Sequence, residues 1–475
     1  MASRRLLATL LPLLVCLSLG CSGSDETSAP GPEGGLSTEH QQQVDELAVP
    51  LIEAGWTAGM VVGLIDASGT MEIYGYGTTD LADGSVPDEG TLFEIGSISK
   101  TFTALALALA VADGAVSLDQ PVQELLPAAE VTVPTRGGAS IELRHLSSHT
   151  SGLPPMPENF SPADPDDPHV DYTAADMYSF LTGYELPRDI GSEFEYSNLA
   201  VGLLGHALAL EAGQPYEELI RTRISEPLGL TDTTMTLSAD QEARFAAGHD
   251  ADLNPIHPWH FDALAGAGAL RSTAPDVLRY AASQAGTLPS DLHTAMQTTH
   301  AEQFNISLGW KVGLGWFIAL DRYRWHNGAT GGFGTFVAFD PQTGVGVTVL
   351  CNAVGVVYGP ETLLGDALIR MMAGEPYDAP ALPPTLDLPV ETLSQYAGTF
   401  QVSGAGTFDI ALVDDHLELH LPGQPEVRMY AATDEQFYLR VAQASITFIA
   451  DSTGAYDTLH YEQDGVTPFD ATRVP

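Results

Sequence analysis

The chain is short of positive charge, and of lysine most of all. Its 475 residues hold 62 Asp and Glu against 18 Lys and Arg, a formal net charge of −44 at pH 7. Lys100 and Lys311 are the only lysines. So acidic a surface repels phosphate backbones, which argues against a nucleic-acid partner. The acids are dispersed, so they read as a solvated surface rather than an acidic tail. Cysteine is also scarce, with Cys16, Cys21 and Cys351 the full set. If the leader is cleaved or lipidated, no intrachain disulfide can form and stability must come from a large core. Cys351 ends the apolar run 345–350 and reads as a small buried side chain. The G-x-S-x-G elbow and the H-E-x-x-H zinc pattern are both missing, which excludes the architectures built on them.

What the chain does have begins with an address. Arg4 and Arg5 precede an apolar run over 6–19, too short to span a bilayer and typical of an export signal. Cys21 follows Leu17-Ser18-Leu19-Gly20, a stretch resembling a bacterial lipoprotein cleavage site, although Ser18 stands where such sites usually carry Leu. The expectation is a signal peptide over 1–21, lipidation at Cys21, a flexible linker over 22–38 and residence at the bacterial cell envelope on the periplasmic side.

Residues 39–373 mix helical and β-like runs. Residues 61–65 and 71–74 flank the turn Asp66-Ala67-Ser68-Gly69 and predict a hairpin. Residues 101–112 are apolar on every side but short, which predicts a buried central helix. Two runs around Asp340-Pro341-Gln342-Thr343-Gly344 predict a second hairpin. The expected class is α+β. A proline-rich linker over 374–390 follows, and seven short strand-like runs between 396 and 461 predict a small barrel or sandwich over 391–475.

Three clusters carry chemistry. In Gly96-Ser97-Ile98-Ser99-Lys100, Ser and Lys three apart at a helix start share one face. The hydroxyl would sit at the positive helix end, and the amine would activate it. A Ser there is often only an N-cap, but a chain that avoids lysine elsewhere keeps one at this place. Tyr196-Ser197-Asn198 adds a phenol, which a nearby lysine would help to lose its proton and so exchange protons with the serine and leaving group, and an amide to orient a substrate. In His326-Asn327-Gly328-Ala329, small residues let a strand edge approach a ligand, and a backbone N–H there with that of Ser97 would make an oxyanion hole.

Together these clusters resemble the three active-site motifs of class C β-lactamases and related penicillin-recognising serine hydrolases. Further stretches are similar to the same family, among them Leu143-Arg144-His145-Leu146-Ser147-Ser148-His149-Thr150-Ser151-Gly152-Leu153-Pro154. The likeness implies a β-lactamase/transpeptidase-like domain, an antiparallel sheet flanked by helices with an all-helical region, followed by an appended small β-barrel. It implies that Ser97 is acylated, Lys100 and Tyr196 move protons, and Asn198, His326, Gly328 and Ala329 bind substrate, Ala329 through its N–H. It calls for no cofactor. The substrate would be a small molecule or short peptide, including peptidoglycan-derived ones. His326 departs from the Lys that opens this motif in many β-lactamases, so a group only partly charged near neutrality replaces a permanent cation. A binding protein that keeps the fold without turnover is the rival reading, and the intact Ser97, Lys100 and Tyr196 set opposes it. His257 and His260 fit loop packing better than a metal site, and Asp164, Asp166, Asp167 and Asp171 fit a solvated loop bordering the active site better than a Ca²⁺ site.

Overall fold

The computed structural model describes residues 38–354, 360–403, 406–421, 426–440, 444–463 and 468–474. The expected signal peptide, Cys21 and nearly all of the first linker lie outside the described residues. The chain divides between Pro380 and Ala381, inside the proline-rich stretch.

In the first unit, helix α1 (Thr38–Glu53) leads into β1 (Gly59–Ile65) and β2 (Met71–Gly77), the first expected hairpin. Helix α2 (Ser99–Ala112) is the expected central helix, and every residue from Ser99 to Leu109 is buried. Phe102 stacks on Tyr280 with centroids 4.0 Å apart, and burying such a ring contributes ~1.5–3 kcal/mol. Helix α3 (Asn198–Ala212) starts at the N-cap Ser197, whose Oγ accepts from Ala200 N–H at 2.9 Å, and ends at Gly213 with φ 65°. Helix α4 (Ala274–Ala285) precedes a run of strands: β3 (Phe304–Ser307), β4 (Trp310–Val312), β5 (Phe317–Ala319), β6 (Tyr323–Ala329), β7 (Gly334–Phe339) and β8 (Gly346–Cys351). Helix α5 (Pro360–Met372) closes the unit.

These strands form one antiparallel sheet in the order β2-β1-β8-β7-β6-β5-β4-β3. The chain's first strands thus sit beside its last, with Val61 opposite Leu350. Successive side chains alternate between faces: Gly63 abuts Leu278 of α4, while Phe336 abuts Gly365 of α5. With both faces covered, β7 and β8 are buried throughout and read as unbroken apolar runs. Asp340 sits in their turn, fully buried, holding Arg322 at 2.7 Å and the Thr343 hydroxyl at 2.7 Å.

The second unit is a closed barrel of eight antiparallel strands, β9 (Gly398–Val402), β10 (Gly406–Val413), β11 (His416–His420), β12 (Val427–Ala431), β13 (Gln436–Leu439), β14 (Ala444–Ile449), β15 (Thr458–Gln463) and β16 (Phe469–Arg473). It settles the choice between barrel and sandwich, and β16 adds a strand to the seven expected. Alternate residues such as Phe400, Phe408, Phe437 and Phe448 fill its interior.

Candidate active site

The structure brings together residues from four distant stretches. Ser97 lies not in α2 itself but in a 3-10 turn, Gly96–Ile98, immediately before it. Ile98 is the N-cap of α2 and offers no side-chain cap, so the capping explanation for Ser97 falls away. Lys100 is completely buried, its Nζ 2.8 Å from Ser97 Oγ and donating to Ala267 O at 2.6 Å. No carboxylate offsets the loss of water, and burial pushes this amine well below its usual 10.5. Lys311, by contrast, reaches Glu302 at 2.8 Å and Asp321 at 2.7 Å at the surface. A neutral amine can donate one proton to Ala267 O and accept the Ser97 proton on its lone pair.

Tyr196 is 8% exposed and lies beside this pair, with Lys100 Nζ 4.9 Å from its ring centroid. The sequence suggested a phenol eased toward ionisation by a nearby lysine. Burial instead pushes the phenol up, only partly offset by its hydrogen bond with the Ser97 side chain. Tyr196 is therefore a neutral hydroxyl at rest, and Lys100 is the group able to take a proton.

Strand β6 runs against the nucleophile's turn. A β-carbon on Gly96, whose φ is 48°, would lie 2.7 Å from Ala329 N, and one on Gly328 would collide with Ile95 O. Both glycines are required for this approach, which carries the Ala329 N–H alongside the Ser97 turn. Two N–H groups so placed can stabilise an oxyanion. Ile95 O accepts from Thr335 Oγ1 at 3.0 Å, fixing the turn to β7. On its other side Glu94 pairs with Arg271 at 3.2 Å, both buried, and accepts from Trp259 N–H at 2.9 Å.

His326 lies on β6 with 1% exposure. Its Nδ1 faces Asn327 O, an acceptor, so the neutral ring carries its proton on Nδ1. Burial first and Lys100 second push it down to about 3. The partial charge expected from the sequence is thus absent at neutral pH. Asn198, the first residue of α3, is half-buried, and its amide nitrogen reaches only the Met156 sulfur at 3.7 Å. An aromatic wall closes the site beside Gly268, where a β-carbon would lie 3.2 Å from Phe261. His169 stacks on Phe261 at 4.5 Å and meets Trp259 at 5.0 Å.

Among the described residues, no group of three or more His, Cys, Asp or Glu is arranged to hold a metal ion. His260 instead pairs with Asp167 at 2.8 Å, and Asp171 accepts from Ala163 N–H. Two contributors escaped sequence reasoning: the Ala267 carbonyl and the Glu94–Arg271 pair. Backbone carbonyls leave no trace in a sequence, and the ion pair joins residues far apart.

A family model described as Beta-lactamase matches residues 44–369, and one described as Domain of unknown function (DUF3471) matches 383–472. A β-lactamase of Pseudomonas fluorescens is 29% identical over 356 residues, covering 66% of this chain and 94% of that protein. The D-alanyl-D-alanine-carboxypeptidase/endopeptidase AmpH of Escherichia coli (strain K12) is 31% identical over 328 residues, covering 65% and 82%. A class C β-lactamase of known structure superposes with a TM-score of 0.60 at 25% identity, over 69% of this chain and 95% of that one. A β-lactamase/D-alanine carboxypeptidase from Pseudomonas syringae shares the fold, with a TM-score of 0.62 at 24% identity over 71% and 100%. The chain belongs to the β-lactamase family and is a β-lactamase-related serine hydrolase.

Proposed function

We propose that the chain hydrolyses uncharged, largely apolar esters or amides through an acyl-enzyme on Ser97. The observation that carries this reading is the buried, neutral His326 where many relatives place a permanent cation. A substrate carboxylate would find no fixed positive charge there, while the Phe261 wall suits an apolar group. The name of the AmpH relative supports a second reading, D-amino-acid peptide amides, including peptidoglycan-derived ones at the cell envelope that the leader implies, whose terminal carboxylate would then be met without a cation at His326.

In this mechanism Ser97 Oγ attacks the carbonyl carbon as its proton passes to Lys100 Nζ. The oxyanion is held by the N–H groups of Ser97 and Ala329, and Asn198 orients the substrate. The new ammonium lies next to the Tyr196 ring. It lowers the phenol's proton affinity as the leaving group departs, so Tyr196 donates its proton and recovers one from Lys100. Water then attacks the acyl carbonyl carbon as its proton passes to Lys100; the bond from that carbon to Ser97 Oγ breaks, Lys100 returns the proton to Oγ, and the carboxylic acid leaves.

A fluorophosphonate label followed by peptide mapping tests the nucleophile, with adduct expected on Ser97 and none in Ser97→Ala; a label retained by that variant refutes the assignment. p-Nitrophenyl butyrate compared with a carboxylate-bearing ester tests the preference. Wild type should favour the neutral ester, and His326→Lys should shift the ratio toward the anion by roughly 10-fold, the effect of about 1.4 kcal/mol of differential binding. An unchanged ratio contradicts the charge argument.

A further inference from the structure

His149 contacts the chain on both sides of Tyr196. Glu195 N–H donates to His149 O at 2.9 Å, and Ser197 N–H donates to His149 Nδ1 at 3.1 Å. Between these two bonds the imidazole stacks on the Tyr196 ring, centroids 4.4 Å apart and planes 26° from parallel. Phe194 meets the same imidazole edge-on at 5.7 Å. We propose that His149 is a positioning residue, a clamp that fixes the Tyr196 hydroxyl relative to Ser97 and Lys100.

Two further observations point the same way. His149 has φ 59°, in the left-handed region that only a few per cent of non-glycine residues occupy, His among the more tolerant of them. Such backbone persists only where surrounding structure over-determines it, and it concentrates at functional sites. Its ring is also 1% exposed, and Nε2 has no hydrogen-bond partner among the described residues. Because Nδ1 accepts a backbone N–H, the neutral ring carries its proton on that unpartnered Nε2. Burial, the leading cause, keeps the ring from taking a second proton that would break the bond to Ser197. A residue serving packing alone would need neither the left-handed backbone nor the buried orphan donor.

The proposal rests on Tyr196 handling a proton, so its test is a double-mutant cycle that separates the two claims. Wild type, His149→Ala, Tyr196→Phe and the double variant are compared as full chains for p-nitrophenyl butyrate turnover, with active sites counted by fluorophosphonate titration. His149→Ala should lower kcat per titrated site by roughly 10- to 100-fold, the scale of a misplaced reacting group, with KM little changed. In the Tyr196→Phe background the same change should cost almost nothing more. Asn accepts a backbone N–H and tolerates positive φ, so His149→Asn should recover most of the loss. His149→Phe keeps the ring without the acceptor and should not. An equal loss in both backgrounds overturns the clamp, as does an unchanged kcat per site or an Asn variant no better than Phe. Full activity in Tyr196→Phe alone overturns the role of Tyr196 instead. Should His149→Ala fail to fold, the Asn and Phe variants decide the matter.

Discussion

At the scale of single residues, the Ser97-Lys100 pair was legible from spacing and from the scarcity of lysine, and the Nζ to Oγ distance of 2.8 Å agrees with it. The electrostatics were not legible. Tyr196 moves up where the sequence suggested down, and His326 is neutral where partial charge was expected. Both outcomes follow from burial that includes segments roughly 50 to 130 residues away, such as His149 and Phe317 against Tyr196 and Tyr196 against His326, which no local pattern encodes. Burial of Lys100 also has a thermodynamic sign. Its folded-state affinity for a proton is depressed below the unfolded 10.5, so the unfolded chain binds more protons between those limits. Stability therefore rises with pH across that window, and keeping this lysine buried is destabilising below it. Lys100→Met should lower ester turnover by roughly 10²- to 10⁴-fold, the usual weight of a general base, while raising Tm at pH 7. Circular dichroism melts and steady-state kinetics check both halves; a fall in Tm with retained turnover contradicts the role.

At the scale of elements, the hairpins β1–β2 and β7–β8 could be read because each pairs clear strand runs across a turn rich in Asp and Gly. Strands β3 to β5 were missed because they are three or four residues long, and β3 alternates half-buried with exposed positions. The last barrel strand, Phe-Asp-Ala-Thr-Arg, hid for a similar reason, since only Ala471 is fully buried. The glycines where β6 meets the nucleophile's turn give a direct test. A methyl group on Gly328 must displace Ile95 O or the Thr335 hydroxyl. Gly328→Ala should therefore cost about 1–3 kcal/mol in stability, as overpacking does. Turnover should fall with it as the Ala329 N–H moves from the oxyanion position. Urea denaturation and kinetics together measure this, and a variant as stable and active as wild type would show that β6 has slack.

At the scale of the whole molecule, histidines other than His149 are also held neutral by withdrawal from water, His326 and His169 buried and His300 half-buried. Burial, as the leading cause, pushes His326 and His300 down to about 3 and His169 to about 4. The unfolded chain protonates each near 6.5, so between 6.5 and these values it holds more protons than the folded chain. Their contribution to stability is complete above 6.5 and is lost as pH falls through that window. His300 is set apart from the proposed chemistry, with Nε2 on Gln284 Oε1 at 2.8 Å. His300→Gln should make the loss of Tm between pH 7 and pH 4 smaller than in wild type. Melting curves across that range decide it, and parallel pH profiles would contradict it.

The parts that surround Ser97 come from the start, middle and end of the first unit, with Ala329 on the strand that completes the proposed oxyanion hole. No shorter run of chain contains them all. A ribosome must therefore release β6 and β7 before any acyl-enzyme can form, so a growing chain stays chemically silent until synthesis of this unit is nearly finished.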